Sequence, residues 1–285
     1  YKTYNLPFDS IILLASTFVH KGEYNKAISV YLALLEHVKD KVKKEELLEH
    51  LGSTYFKSGF MQRSRDIFLK ILQFSPRNED ALKYLLIINE KVKEYEKAAE
   101  VLESLEELDV DISNDKVYIK TLQILNDPLL SYQKKTAKLY DIFSENELIE
   151  RLFVQFLLQY NKEFFWAYHS IFDKSRILDL LWYLNFDDVD FDAVASDKYL
   201  TELYNAKGYL KNQEHSEDFA FDVLMLLNQH EHKVSANLDF EYICSSCKKN
   251  HPIYDSRCPH CHNILTFKVK HTLIKGFSET NQSLQ

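Results

Sequence analysis

Three stretches decide the fold: YNKAISVYLAL (24–34), MQRSRDIFLKI (61–71) and YEKAAEVLESL (95–105). They share one template. Tyr24-x2-Ala27-x3-Tyr31-x2-Leu34 is matched by Met61-x2-Ser64-x3-Phe68-x2-Ile71 and by Tyr95-x2-Ala98-x3-Leu102-x2-Leu105. The offsets from Ala27 to Ser64 to Ala98 are 37 and 34 residues. Steps of three and four place these residues on one face of a helix.

A second helix precedes each stretch, marked by Leu14-Ala15-x2-Phe18, Leu51-Gly52-x2-Tyr55 and Leu85-Leu86-x2-Asn89. Gly22 and Gly59 follow where a tight turn is needed, and Lys93 holds the third such place. Small residues let antiparallel helices approach, while the larger ones fill the groove to the next pair. Pro76 ends the helix after Ile71, because it lacks an N–H and disfavours helix in the residue before it. This pattern resembles the tetratricopeptide repeat, whose period is about 34 residues. The charged run HVKDKVKKEE (37–46) supplies the three extra residues of the first offset and reads as a solvated helix end and loop.

Composition agrees with a helical chain. Of 285 residues, 46% are hydrophobic and 27% charged, with only five Gly and five Pro against 18 Tyr and 19 Phe. So few breakers exclude a β-sandwich or a Gly-rich nucleotide fold. A net charge of −8 argues against a general nucleic-acid binder. No stretch reaches the roughly 18 uninterrupted apolar residues of a membrane-spanning helix. The chain begins at Tyr1 rather than Met, which leaves room for an anchor or signal ahead of it.

The expected class is all-α, a tetratricopeptide-type solenoid with a small β-rich ribbon at its C-terminus. Residues 1–110 hold three helix pairs, 111–235 degenerate helical repeats, 236–275 the ribbon and 276–285 a tail. In the middle region the pattern predicts regular helices continuing to about residue 232. Asp127-Pro128 opens one of them, and SENELIERLFVQFLLQY (144–160) starts another with Ser144 and Glu147 as a capping box. Trp166 and Trp182 read as core. The acidic run FDDVDFDAVASD (186–197) fails as a calcium loop: counted from Asp188, Ala193 stands where the turn glycine belongs and Tyr199 where the bidentate Glu belongs. Helix caps explain it better. His169, His215, His230 and His232 have no metalloprotease spacing and no nucleophile partner.

All four cysteines lie in YICSSCKKNHPIYDSRCPHCHN (242–263), as Cys244/Cys247 and Cys258/Cys261 with ten residues between the pairs. Paired disulfides suit a small secreted domain, and a dithiol redox motif needs one such pair. Two Cys-x-x-Cys knuckles bring four thiolates to one tetrahedral ion, so Cys244, Cys247, Cys258 and Cys261 are the expected metal ligands. His251, His260 and His262 are not needed. The expected ion is Zn²⁺, with iron as a substitute. Four protein ligands leave no open position, so the role is structural, and a segment this short depends on its metal to fold. FEYI and NILTFKVKH flank the knuckles as strands. An electron-transfer rubredoxin carries Gly after each knuckle and a longer separation; here Lys248 and His262 stand in those places.

Between residues 242 and 275 the ribbon is basic, with Lys248, Lys249, Arg257, Lys268, Lys270 and Lys275 against Asp255, while the rest of the chain is acidic. Docking on an acidic helical surface of the same chain is favoured over binding to nucleic acid.

The repeats at 11–105, the helices to about 232 and YICSSC…SRCPHCHNILTFK together resemble the lipopolysaccharide assembly protein B family. Lys248 replaces that family's Gly, and the helical array is shorter. The resemblance implies a cytoplasmic helical array behind an N-terminal membrane anchor, at the inner membrane of a Gram-negative bacterium, with a rubredoxin-like metal domain packed on it. It implies an adaptor that presents proteins of lipopolysaccharide synthesis to a membrane-anchored AAA+ protease. No catalytic residue is expected, since no nucleophile–base pair or phosphate loop is present. A nucleic-acid-binding ribbon and an iron redox module are the alternatives.

Overall fold

The computed structural model describes residues 8–211, 215–229 and 236–275. His230, His232, the linker at 230–235 and the tail at 276–285 lie outside the described residues. The chain divides into two compact units, Tyr1–Gln123 and Ile124–Gln285.

In the first unit α1 (Phe8–His20) pairs with α2 (Tyr24–Leu35), α3 (Lys41–Lys57) with α4 (Met61–Phe74), and α5 (Glu79–Lys91) with α6 (Tyr95–Glu106). The second helix of each pair begins at the first residue of its repeated stretch. Ala27, Ser64 and Ala98 are fully buried, as the template requires. Between α3 and α4 the approach is close enough for the Ser64 hydroxyl to donate to the Gly52 carbonyl at 2.8 Å. A Cβ on Gly52 would stand 2.8 Å from Phe68 Cζ. The turns within the pairs are left-handed at Gly22 (φ 75°), Gly59 (φ 83°) and Lys93 (φ 62°), so the lysine occupies a glycine conformation. Four residues of the charged run 37–46 are loop. The other six open α3, capped by Asp40, whose side chain accepts from Lys43 N–H. The boundary between the units falls within α7 (Ser113–Asn126).

The second unit departs from the expected regular helices. After α8 (Tyr132–Glu145) and α9 (Glu150–Tyr160) come α10 (Lys162–Ala167), α11 (Leu178–Trp182), α12 (Phe191–Ala195), α13 (Lys198–Ala206) and α14 (Phe219–Gln229). Their lengths fall to 6, 5, 5 and 9 residues before α14. Short polar caps cut them: Asn161, Asp190 and Asp197 each accept from backbone N–H groups ahead of α10, α12 and α13. Two expected starts move. Asp127-Pro128 forms a turn, and α8 begins at Tyr132 with Ser131 as cap. Ser144 is still inside α8, bonded to Asp141 O, and Asn146 caps the next segment instead. Asn146 wins because its short amide reaches Leu148 N–H from extended backbone, which a residue within a helix cannot do.

Aromatic rings fill this irregular layer, including a Phe165–Phe172 stack and Phe153 against Phe143. Trp166 and Trp182 are buried, as expected. The acidic run serves as caps at Asp190 and Asp197, and Asp188 pairs with Lys162. The ribbon follows as β1 (Ala236–Cys244), β2 (Asn250–His251) and β3 (Phe267–Lys275), antiparallel in the order β2-β1-β3. β1 extends the expected FEYI at both ends, whereas β3 lies four residues downstream of the expected NILTFKVKH. Ile264 makes only an isolated bridge to Arg257.

Candidate metal centre

The end of β1 delivers Cys244 into a tight turn that carries Cys247, and the segment between β2 and β3 repeats the turn with Cys258 and Cys261. The two knuckles have matching backbone bonds. Lys248 N–H donates to Cys244 O and His262 N–H to Cys258 O, both at 2.9 Å. Cys244 N–H donates to Lys249 O at 3.0 Å, and Cys258 N–H to Asn263 O at 2.9 Å. Each turn closes through a left-handed residue, Lys248 (φ 61°) and His262 (φ 62°), where glycine fits without strain.

The four sulfurs converge. All lie within 4.8 Å of one another, and no other such cluster of ligating side chains occurs among the described residues. Cys244 Sγ is 3.6 Å from Cys261 Sγ, and Cys247 Sγ is 3.7 Å from Cys258 Sγ. Disulfides at about 2.05 Å are therefore absent from the cluster. Sulfurs at about 2.3 Å from a central ion stand about 3.8 Å apart along a tetrahedron's edge, so the donor set fits a tetrahedral thiolate centre.

Polar neighbours point at the sulfurs. Cys247 N–H and the Thr266 hydroxyl lie 3.5 and 3.2 Å from Cys244 Sγ, and His251 Nε2 is 3.8 Å from Cys258 Sγ. Burial opposes the Cys244 thiolate, but the hydrogen bonds from Cys247, Thr266 and Ser246 outweigh it and lower its pKa. Burial and the neighbouring sulfurs push Cys261 up. The Cys244 thiolate therefore forms readily while Cys258 and Cys261 resist ionising, and a cation among the four sulfurs would favour the thiolate form of each. Buried Arg257 braces the second knuckle, donating to His262 O at 2.7 Å.

The ribbon is clamped to the helices of its own unit. Arg151 of α9 and Asp179 of α11 form a buried ion pair, with Arg151 NH1 at 2.7 Å from Asp179 Oδ1. The Tyr242 hydroxyl of β1 donates to Asp179 Oδ2 at 2.7 Å. The Arg151 guanidinium lies 3.9 Å from the centre of the Tyr254 ring, in the segment between the knuckles. Trp182 Nε1 donates to Asn237 Oδ1 at 3.1 Å, and His271 Nε2 sits 2.8 Å from Asp218 Oδ2 with its ring stacked on Phe221.

This clamp corrects the charge expectation. The buried cation belongs to the helices, and the ribbon contributes phenols rather than its lysines. Desolvating a lysine costs more than burying a ring with one hydroxyl, so aromatic side chains make the contact. Sequence reasoning missed Arg151, Asp179, Tyr242 and Tyr254. A faint signal was present: Arg151 opening the apolar run RLFVQFLL and Asp179 inside ILDLLW, charges of opposite sign that burial would force together.

No protein-family model matches the chain, and no curated protein matches it.

His169 and His215 make local contacts. His169 Nδ1 is 2.8 Å from Trp166 O, and His215 Nδ1 is 3.1 Å from Asp222 Oδ1. No helix among the described residues is long and apolar enough to cross a membrane.

Proposed function

We propose that this chain is a non-catalytic adaptor in which a structural Zn²⁺, held by Cys244, Cys247, Cys258 and Cys261, keeps the ribbon in the shape that seats on the helical layer. The observation that carries this reading is the buried network of Arg151, Asp179, Tyr242 and Tyr254. Tyr242 lies two residues from Cys244, and Tyr254 lies between the knuckles, so metal binding and seating share the same short segments. Loss of the ion unfolds such a ribbon and would expose the helical surface it covers without touching the repeats.

The resemblance to the lipopolysaccharide assembly protein B family directs the search for partners to proteins of lipopolysaccharide synthesis and a membrane-anchored protease at the cytoplasmic face of the inner membrane. The test is capture of partners from membranes by the metal-loaded protein and by Cys244→Ser/Cys247→Ser. About one zinc per chain, colourless protein, near-intact helical content in the variant and weakened capture support the proposal. Visible thiolate-to-iron absorption in the native protein would make the site a redox centre, and equal capture by the variant would separate the ribbon from the adaptor role.

A further inference from the structure

Among the described residues the sheet leaves one long edge open. β3 runs for nine residues on the outside of the order β2-β1-β3. The direction of its backbone groups follows from the first knuckle. Cys244 N–H donates toward β2, to Lys249 O, whereas Ser245 N–H donates toward the other side, to Thr266 O. Successive residues of an antiparallel ladder alternate in this way. The register pairs Ile243 with Lys268, Glu241 with Lys270, and Asp239 with Thr272. Lys268, Lys270 and Thr272 therefore turn their backbone groups to β1, and Phe267, Val269, His271 and Leu273 turn theirs outward. Among the described residues no backbone bond reaches β3 from that outer side. A row of open N–H and C=O groups at every second residue is a template for one more strand.

The side chains add a chemical preference. Lys268, Lys270 and Thr272 are exposed on the face away from the helices, while Phe267, Val269 and Leu273 are half-buried on the other. Among the described residues no ion pair involves Lys268 or Lys270, and His271 Nε2 lies 2.8 Å from Asp218 Oδ2. At its Phe267 end the strand borders a cleft of about 520 Å³, walled by Leu148, Arg176 and Tyr254 and also by the carboxylates of Glu147, Glu150 and Asp173.

We infer that the outer edge of β3 docks an extended acidic segment of a partner protein as a fourth strand. Its carboxylates lie beside Lys268 and Lys270, and its alternate apolar side chains face the helical layer. This deepens the adaptor reading, on which it rests, by naming the chemistry of the partner. A nucleic acid would use the lysines but not the open backbone ladder, and a chain of net charge −8 repels a long polyanion.

The probe is the heptapeptide Glu-Val-Glu-Val-Glu-Val-Glu, blocked at both ends, titrated into the metal-loaded full chain at low salt and followed by amide NMR. The expected result is saturable binding with amide shifts at Val269, His271 and Leu273. Affinity should fall about tenfold in Lys268→Glu/Lys270→Glu, since two attractive cross-strand pairs become repulsive. Because Lys270 stands opposite Glu241 on β1, Lys268→Gln/Lys270→Gln, which adds no like-charge pair to the sheet, is the second variant and should weaken binding by a smaller factor with the β3 amide spectrum retained. A peptide with Pro at its central position should bind at least tenfold more weakly, because the ladder bond is lost. Affinity unchanged by the charge reversal, or shifts confined to other parts of the chain, overturns the inference. So does failure of the peptide where an oligonucleotide or an anionic vesicle binds. Capture from membranes separates the two ideas. Equal capture by wild type and the charge-reversed protein sinks the edge site and leaves the adaptor reading, whereas no capture by wild type sinks the adaptor reading while the titration still decides the edge.

Discussion

Replacing Tyr242 with Phe deletes a single hydroxyl from the clamp and leaves the ring in place. The lost bond is short, 2.7 Å, buried, and made to a charged carboxylate. Such bonds contribute about 1.5–3 kcal/mol. Asp179 keeps its bonds from Arg151, so the lower part of that range applies, about 1.5–2 kcal/mol. Seating of the ribbon should then weaken by roughly ten- to thirtyfold. Hydrogen exchange measures it directly: amides of β1 and α11 should exchange faster by that factor, while those of the first unit stay unchanged. Burial, and then the bond to Asp179, raise the Tyr242 pKa. The protonated phenol is thus the favoured form in the folded state, and its contribution is complete below the ordinary tyrosine value of about 10 and is lost only as pH rises through the raised one. The effect of the substitution should therefore be flat between about pH 6 and 9. In an Arg151→Met/Asp179→Leu background the same substitution should cost almost nothing, because its acceptor is gone. Unchanged exchange in Tyr242→Phe, or an equal loss in that background, would refute the clamp.

Gly52→Ala should destabilise the first unit by about 1–3 kcal/mol in urea melts, because the new methyl meets Phe68 Cζ at 2.8 Å. Lys93→Gly should raise stability by about 0.5–1 kcal/mol, since φ 62° strains a lysine and not a glycine; a lower melting temperature would contradict this. Burial raises the Glu150 pKa, against the help of the Asp173 N–H and Arg176. The folded state therefore binds this proton more tightly than the unfolded one, and the stability that comes with it is present below about pH 4.5 and lost as pH rises through the raised value. Glu150→Gln keeps an acceptor for Asp173 N–H without the buried charge. It should gain stability relative to wild type as pH rises from 4 to 7, by chemical denaturation across that range.

The repeats were legible because their cause is local. A helix places residues three and four apart on one face, so Ala27, Ser64 and Ala98 announce close helix contacts and Gly22 and Gly59 announce left-handed turns. The same holds for the knuckles, where two Cys-x-x-Cys pairs define a turn, a donor set and a geometry within a few residues. Even Lys93, Lys248 and His262 followed this logic, adopting the backbone of the glycines they replace.

Past α7 the causes are no longer local. Ser144 and Asn146 are both good caps, and the point at which α8 ends, past Ser144, decides between them. Net charge predicted how the ribbon would dock, yet net charge is a sum over side chains that water screens. The contact depends instead on which groups lose their water, and Arg151 and Asp179, 28 residues apart, meet Tyr242 another 63 residues from Asp179. Sequence alone determined that this chain forms helix pairs and gathers four thiols, since each follows from spacing within one or two turns of backbone. Only the tertiary structure decided where the ribbon sits, which of its residues are buried and which edge of β3 stays open, because desolvation acts on neighbours in space and no spacing along the chain encodes it.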